Sequence, residues 1–282
     1  MNFAVFIISH KRADRVQTYH ALRIAGYTGQ IYVVVDDEDP QLDKYKELYS
    51  KELIIFAKND YISKVDTIIR TNQKSSPIYD RCFVEYTAKE YKLDAFMMID
   101  DDMPTFRYRW VDGDKARSLS MKIGMDDVLR LYAQYIIDNN IAVTSFVHTM
   151  FYVAGVHGLD RRITEQRELN GVFIRNTKFN VDWVGIMRHD MIANLLTAKR
   201  GYIWWALPFV VFETLPMNEV GVNEGGMKET YDMLNHYRRS FLGVIASPNC
   251  CKIGCANGRI KISCDWSKVY PKIISGRYKR EE

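Results

Sequence analysis

Three consecutive aspartates, Asp100, Asp101 and Asp102, follow the apolar run of residues 95–99 and are the residues whose type and spacing most clearly allow chemistry. In an extended chain, side chains two apart point the same way, so Asp100 and Asp102 can face one ligand together. Adjacent carboxylates repel and raise each other's pKa unless a cation lies between them. Such oxygen ligands suit Mg²⁺ or Mn²⁺, which often bridge to phosphate oxygens. The pattern predicts a cation site at Asp100 and Asp102. Asp101 either fixes the loop, or the metal pair is shifted by one residue.

Acidic residues also follow two other strand-like runs. Asp36 and Asp37 come after residues 31–35, and Asp60 comes shortly after residues 53–56. In a doubly wound sheet the carboxyl ends of parallel strands share one edge, so these acids can converge on one ligand. The alternative is that they are turn residues or helix caps.

The segment Ser9-His10-Lys11-Arg12 follows the first strand-like run. A helix start beside two cations can bind phosphate, and an ordinary solvated helix start explains the segment equally well. Neither a Gly-x4-Gly-Lys loop nor a Gly-x-Gly-x2-Gly turn is present, which argues against a P-loop protein and a dinucleotide-binding fold.

Two later residues are candidates for the reaction itself. Asp190 lies near the start of a predicted helix over residues 187–200 and could act as a general base. A first-turn acid that stabilises the helix dipole is the alternative. His236 could complete a metal site, although an isolated histidine is more often structural.

Basic residues interleaved with aromatic ones form a candidate DNA-binding surface. Such a strip can stack on bases and neutralise phosphates, and an edge strand with alternating faces is an equal alternative. The net charge of +4 permits a polyanionic partner without requiring one. The candidates are Arg107, Tyr108, Arg109 and Trp110, with Arg161 and Arg162 in a second basic run.

The elements that must position these residues alternate between strand and helix. This order predicts an α/β fold with a mostly parallel sheet flanked by helices. The helix after Pro77 is expected to turn Ile78, Cys82, Phe83 and Tyr86 inward. Predicted strands cover residues 3–8, 31–35, 53–56, 95–99, 141–151, 172–174 and 202–212, and predicted helices cover 12–25, 41–49, 126–140 and 187–200. Residues 1–215 are expected to form the main domain, and residues 216–282 an irregular C-terminal extension that packs on it.

The composition indicates the class of protein and its cellular location. The 282 residues are 47% hydrophobic and 26% charged, which favours a full core over disorder. Five cysteines, an odd number, do not indicate a disulfide framework. We expect no signal peptide before the first strand, and the longest apolar run, residues 202–212, is too short to span a bilayer. We therefore expect a cytoplasmic protein with no membrane partner.

The alternation of strands and helices that ends in a DxD-type acid cluster resembles the pattern of the GT-A family of nucleotide-sugar glycosyltransferases. The resemblance covers roughly residues 1–212. The resemblance implies that Asp100 and Asp102 hold Mn²⁺ or Mg²⁺ against the donor diphosphate and that the acids after the second and third strands contact the nucleoside. It also implies that Asp190 is the catalytic base, at a position where the family often has Glu-Asp and this chain has His189-Asp190. The implied donor-binding residues are Ser9, Lys11, Arg12, Asp36, Asp37, Asp60 and Asp101.

The C-terminal third carries the motifs Gly225-Gly226-Met227, Tyr237-Arg238-Arg239-Ser240-Phe241, Ser247-Pro248-Asn249-Cys250-Cys251-Lys252-Ile253 and Tyr270-Pro271-Lys272-Ile273-Ile274. With these motifs it resembles the TET/JBP-associated glycosyltransferases. The resemblance implies transfer of a sugar, expected from a UDP-sugar, to hydroxymethylated pyrimidines in bacteriophage DNA, and hence a location in the host cytoplasm. Other acceptors (protein, lipid or glycan), a nucleotidyltransferase and a non-catalytic nucleic-acid-binding module are the alternatives.

Overall fold

The computed structural model describes residues 1–71, 74–152, 169–214, 230, 234, 236–256 and 258–269. Its strands are β1 (Phe3–Ile8), β2 (Ile31–Asp36), β3 (Leu53–Phe56), β4 (Ala95–Asp100), β5 (Thr105–Asp112), β6 (Lys115–Ser120), β7 (Val143–His148), β8 (Val172–Asn176), β9 (Trp204–Glu213), β10 (Cys251–Ala256) and β11 (Arg259–Cys264). Its helices are α1 (Gln17–Ile24), α2 (Leu42–Tyr49), α3 (Asn59–Ile62), α4 (Ile78–Glu90), α5 (Met125–Asp138), α6 (His189–Lys199) and α7 (His236–Ala246).

Within these ranges one large sheet has the strand order β3-β2-β1-β4-β8-β7-β9-β5-β6. The first four strands of this order are parallel. β8 is antiparallel to both β4 and β7, β7 is parallel to β9, and the β5–β6 hairpin closes the far edge. The predicted α/β class is confirmed, with a parallel first half and a mixed second half.

Apolar side chains cover both faces of the sheet, because the central strands are apolar on both sides. On β1, Val5 and Ile7 belong to one cluster, and Phe6 and Ile8 belong to the other. Helices α1, α2 and α5 contribute to the first cluster, and α4 and α6 contribute to the second. The sheet is therefore a rigid layer whose carboxyl edge can hold a site.

Strand register brings the predicted site segments together. Ile8, the last residue of β1, pairs with Asp100, the last residue of β4. Ile8 also pairs with Val34 on β2, two residues before Asp36. The loop after β1, the end of β2 and the aspartate triplet consequently lie at one edge of the sheet.

Several elements differ from the sequence expectation. The helix expected from residue 12 begins at Gln17, because residues 9–16 form a loop over the sheet edge. Tyr86 on α4 is 58% exposed, whereas Arg81 and Glu85 take the inner face. In the expected irregular extension, α7 and the β10–β11 hairpin are regular, and Cys250 and Cys251 pack there with Met191 of α6. Each helix in the described ranges is too short or too polar to cross a bilayer.

Candidate active site

Asp101 points back into the protein and fixes the loop. It is 4% exposed. Its Oδ2 accepts a hydrogen bond from Ser9 Oγ at 2.6 Å, and its Oδ1 accepts one from Arg12 at 2.8 Å. Thr18 at the start of α1 also stabilises this loop, because its hydroxyl donates a hydrogen bond to the carbonyl of Asp100 and accepts one from the amide of Met103. Of the two roles open for Asp101, the geometry favours loop support.

Asp100 and Asp102 flank Asp101 and are both partly open, with side chains 35% and 30% exposed. Burial and the charge of Asp101, opposed by Arg12, raise the pKa of Asp102 to about 6. Burial also raises the pKa of Asp100; the Arg81 charge opposes this rise, and the charge of Asp190 adds to it. Two open carboxylates with raised pKa values form a site that favours a cation.

Asp190 joins this site through a residue that sequence reasoning did not select. One guanidinium nitrogen of Arg81, NH2, lies 3.0 Å from Asp100 Oδ1 and 3.2 Å from Asp190 Oδ1. The other oxygen of Asp190 accepts a hydrogen bond of 3.3 Å from the amide of Gly171. The structure thus brings the predicted metal ligand and the predicted base onto one guanidinium.

The turn that holds Asp190 is built from unusual backbone. Arg188, directly before α6, has a φ of 58°, and Gly171, directly before β8, has a φ of 71°. A Cβ on Gly171 would lie 3.1 Å from Asp100 Oδ2, so glycine is needed for the close approach. His189 is buried, which lowers its pKa to about 4, and it is neutral near pH 7. Asp190, with a side chain 16% exposed against 5% for His189, is the more accessible of the two.

A second charged network lies beside the triplet, at the end of β2. Asp36 Oδ2 lies 2.8 Å from Lys58 Nζ and 3.2 Å from His10 Nδ1, which is also 3.2 Å from Asp39. Burial opposes the charge of His10, but its bonds to both aspartates prevail and raise its pKa to about 9. Burial would raise the pKa of Asp36, and the bonds from His10 and Lys58 lower it to about 2.

His10, Asp36 and Asp39 are close enough to hold a metal ion. However, a protonated imidazole and a lysine ammonium already compensate the two carboxylates, so the network is balanced without one. Asp36 is 1% exposed, so its carboxylate is enclosed within this network. Asp37 and Asp60, the other two acids predicted to contact the donor nucleoside, are exposed.

The loop after β1 is fixed by the same network. Lys11 has a φ of 57°, a strained conformation for a residue with a side chain, and its amide donates to Asp39 at 2.7 Å. Ser9 is buried and bonds Tyr45 as well as Asp101. Arg12, between Asp101 and Asp102, is the basic residue of this loop that reaches the triplet.

The predicted DNA-binding residues divide into different environments. Trp110 on β5 is 47% exposed at the hairpin edge. Tyr108 packs on the core and donates a hydrogen bond to the carbonyl of Ile123. Arg107 bonds Ser118 across the hairpin, and Arg109 is partly buried. Arg161, Arg162 and the side chain of His236 lie outside the described residues, so their roles stay predictions.

The donor set at the triplet fits a divalent cation. The carboxylates of Asp100, Asp101, Asp102 and Asp190 face two guanidinium groups, those of Arg12 and Arg81. When all are ionised, two negative charges are in excess within this group. Hard carboxylate oxygens with this excess suit Mg²⁺ or Mn²⁺, and Asp100 and Asp102 are the members with open oxygens.

A family model described as TET-associated glycosyltransferase matches residues 3–215, about three quarters of the chain. The chain belongs to this family. The matched region contains β1 to β9 and the site residues from Ser9 to Asp190. The expectation of a glycosyltransferase is confirmed at the level of the family. No curated protein matches the chain.

Solved structures of glycosyltransferases resemble the chain distantly. The mannosyltransferase PcManGT from Pyrobaculum calidifontis, in complex with GDP-Man and Mn²⁺, is 13% identical over 77% of this chain and 58% of its own, with a TM-score of 0.45. S. aureus TarS 1-349 in complex with UDP-GlcNAc is 12% identical over 88% of this chain and 67% of its own, with a TM-score of 0.49. Glucosyl-3-phosphoglycerate synthase from Mycobacterium tuberculosis, with Mg²⁺ and UDP, is 9% identical over 93% and 86%, with a TM-score of 0.44.

Proposed function

We propose that this chain is a metal-dependent glycosyltransferase that moves a sugar from a nucleotide-sugar, expected to be a UDP-sugar, to modified DNA. The proposed acceptor is the hydroxymethyl group of 5-hydroxymethylcytosine or 5-hydroxymethyluracil in bacteriophage DNA. Family membership supports the reaction class. The observation that carries the site is the meeting of Asp100 and Asp190 on Arg81, because it joins a cation-binding carboxylate to a candidate base.

On the donor side, Asp100 and Asp102 would hold Mn²⁺ or Mg²⁺, which when bound neutralises charge that builds on the leaving diphosphate. Lys11 and Arg12 would contact the diphosphate from the loop after β1. The exposed acids Asp37 and Asp60 would contact the nucleoside. Ser9, Asp36 and Asp101 would hold these segments in place through the buried bonds described above.

On the acceptor side, Asp190 would take the proton of the hydroxymethyl group if the reaction inverts the anomeric centre. The acceptor O–H bond breaks, the oxygen forms a bond to the anomeric carbon, and the bond from that carbon to the diphosphate oxygen breaks. The proton ends on Asp190, and the electron pair leaves with the diphosphate. If the reaction retains configuration, Asp190 would orient the acceptor instead.

The DNA would be held by basic and aromatic groups. Trp110 has the exposure that stacking on a base requires, and Arg107 and Arg109 lie on the same strand. Arg161 and Arg162 are the further proposed contacts. A hydroxymethyl group inside a duplex is partly shielded, so the base would be turned out of the stack before transfer.

Mass spectrometry of nucleosides tests this function. The protein is incubated with Mn²⁺, a panel of UDP- and GDP-sugars, and either hydroxymethylated or plain DNA, with Asp102→Asn as the matched inactive control. We expect a sugar adduct only on hydroxymethylated DNA and only with the unsubstituted protein. Absence of an adduct with every donor would overturn the proposal, and DNA binding without transfer would indicate a non-catalytic module.

A further inference from the structure

Arg81 lies at the centre of the site and is almost completely buried, with 1% exposure. Only its NH2 atom has charged partners among the described residues, namely Asp100 and Asp190. Its Nε and NH1 atoms have no hydrogen-bond partner there. A buried guanidinium with unused donors is costly for stability, because each lost hydrogen bond to water goes uncompensated. Stability of the fold alone therefore does not explain this arginine.

The surroundings of Arg81 hold its guanidinium still. Its Cζ lies 4.8 Å from the centre of the Phe173 ring and 5.1 Å from that of Trp183. Aromatic faces attract a cation electrostatically, and the attraction strengthens away from water. The guanidinium therefore packs against two rings, and both contacts favour its place between Asp100 and Asp190.

A second buried pair fixes one of these rings. Trp183 Nε1 donates to Glu85 Oε1 at 3.1 Å, and Arg175 binds both oxygens of Glu85, at 2.7 and 2.9 Å. Arg175 also donates to the carbonyls of Ala142 and Phe179. In contrast to Arg81, all three guanidinium nitrogens of Arg175 have hydrogen-bond partners. The fully hydrogen-bonded Glu85–Arg175 pair thus supports Trp183, and Trp183 in turn packs against the incompletely bonded Arg81.

We propose that Arg81 is a positioning residue that holds Asp190 at a fixed place beside Asp100, and that its charge competes with the divalent cation for Asp100. Because one nitrogen serves both carboxylates, whatever neutralises Asp100 leaves more of the Arg81 charge to Asp190. Cation binding at Asp100 is therefore coupled to the strength of the Arg81–Asp190 interaction, and each affects the other to the same extent. The kinetic part of this inference rests on the proposed function; the cation-binding part does not.

Mn²⁺ affinity, measured by electron paramagnetic resonance, tests the competition without any need for turnover. We expect Arg81→Gln to bind Mn²⁺ about fivefold more tightly than the unsubstituted protein, because a competing charge is gone. Arg81→Lys keeps the charge and should stay within about twofold. Arg130→Gln, which removes an arginine that is 68% exposed on α5, is the matched control. If Arg81 only supported the fold, Arg81→Gln would bind Mn²⁺ more weakly, and that result would overturn the inference.

Steady-state kinetics tests the positioning. We expect Arg81→Gln to lower kcat about 100-fold with little change in the donor KM, because a misplaced Asp190 affects the chemical step. In a double-mutant cycle, Arg81→Gln combined with Asp190→Asn should be no slower than Asp190→Asn alone, since both act through one group. Multiplied losses in the double variant would contradict this.

The remaining outcomes are also decisive. If Arg81→Gln does not fold, Arg81→Lys carries both tests. A kcat equal to that of the unsubstituted protein would overturn the positioning role, because an ammonium does not reproduce the geometry of a guanidinium stacked on two rings. A Mn²⁺ affinity more than about twofold weaker than that of the unsubstituted protein would overturn the competition. If the unsubstituted protein transfers no sugar, the proposed function fails, and the Mn²⁺ affinities still decide the competition. Failure of the unsubstituted protein to bind Mn²⁺ would overturn the inference.

Discussion

Replacing Asp101 and Asp102 in turn by asparagine should have opposite consequences, although the residues are adjacent and the substitution is the same. Asp101 is buried and receives Ser9 and Arg12, one on each oxygen. An asparagine offers one acceptor oxygen and turns an NH2 group toward the other donor. Asp102 is 30% exposed, and its oxygen lies 3.8 Å from the Arg12 guanidinium.

The magnitudes follow from these contacts. Asp101→Asn loses one charge-assisted hydrogen bond and leaves a buried donor facing a donor, which should cost about 2–3 kcal/mol of unfolding free energy. For a chain of this size that loss lowers Tm by roughly 3–5 °C. Asp102→Asn removes a carboxylate whose pKa is raised to about 6 by burial and by Asp101, so Tm should stay equal or rise slightly. Its Mn²⁺ affinity should fall at least about tenfold, because a metal ligand is lost.

Thermal unfolding by circular dichroism and Mn²⁺ titration of the same preparations separate the two effects. Unfolding is measured without metal so that ligand binding does not shift Tm. An Asp101→Asn protein with unchanged Tm and no Mn²⁺ binding would refute the assignment and place the metal pair one residue along. Loss of both properties in both variants would show that the triplet acts as one structural unit.

Three further outcomes are expected. Asp190→Asn should lower kcat about 10²–10⁴-fold at an unchanged donor KM; a kcat within threefold of the unsubstituted value would rule Asp190 out as base. Gly171→Ala should lower Tm and weaken Mn²⁺ binding, because φ is 71° and the new Cβ would lie 3.1 Å from Asp100 Oδ2; equal Tm and Mn²⁺ affinity would contradict this close approach. The unfolding free energy, from urea denaturation, should fall as pH rises from the unfolded His10 value of 6.5 through about 9, since a raised histidine pKa stabilises only while the ring is protonated. The same slope in His10→Gln would show that another group is responsible.

The strands of the first half could be predicted from the sequence because their apolar runs are short, β-rich and bounded by polar clusters. The triplet was recognisable for the same reason, since three acids directly follow such a run. Convergence of Asp100 and Asp190 was not predictable. They are 90 residues apart, and β8 enters the sheet antiparallel to β4, which no local pattern indicates.

Arg81 and Glu85 were missed because the inner face of α4 was expected to be apolar. That assumption turned Tyr86 inward, whereas the structure leaves it 58% exposed. A charged residue on the face that also carries Ile78 breaks the amphipathic pattern, and this break was the available signal. Lys58 gave no such signal, because a lysine after a strand is ordinary until Asp36 is seen beside it.

The α7 helix and the β10–β11 hairpin were expected to be irregular. The glycines and clustered aromatics of this segment hide the short periodic runs that form both elements. Their stability comes from packing on α6, where Cys250 and Cys251 are buried against Met191. Tertiary contact therefore decides this part of the fold, and local propensity does not.

Calorimetric titration with UDP and GDP tests whether Asp100 and Asp102 bind the donor through a divalent cation. We expect one of these nucleotides to bind the unsubstituted protein when Mn²⁺ is present, to bind far more weakly after chelation, and to bind Asp102→Asn weakly under both conditions. Nucleotide affinity that is unchanged by chelation and by Asp102→Asn would show that the donor is not held through a cation at these two aspartates.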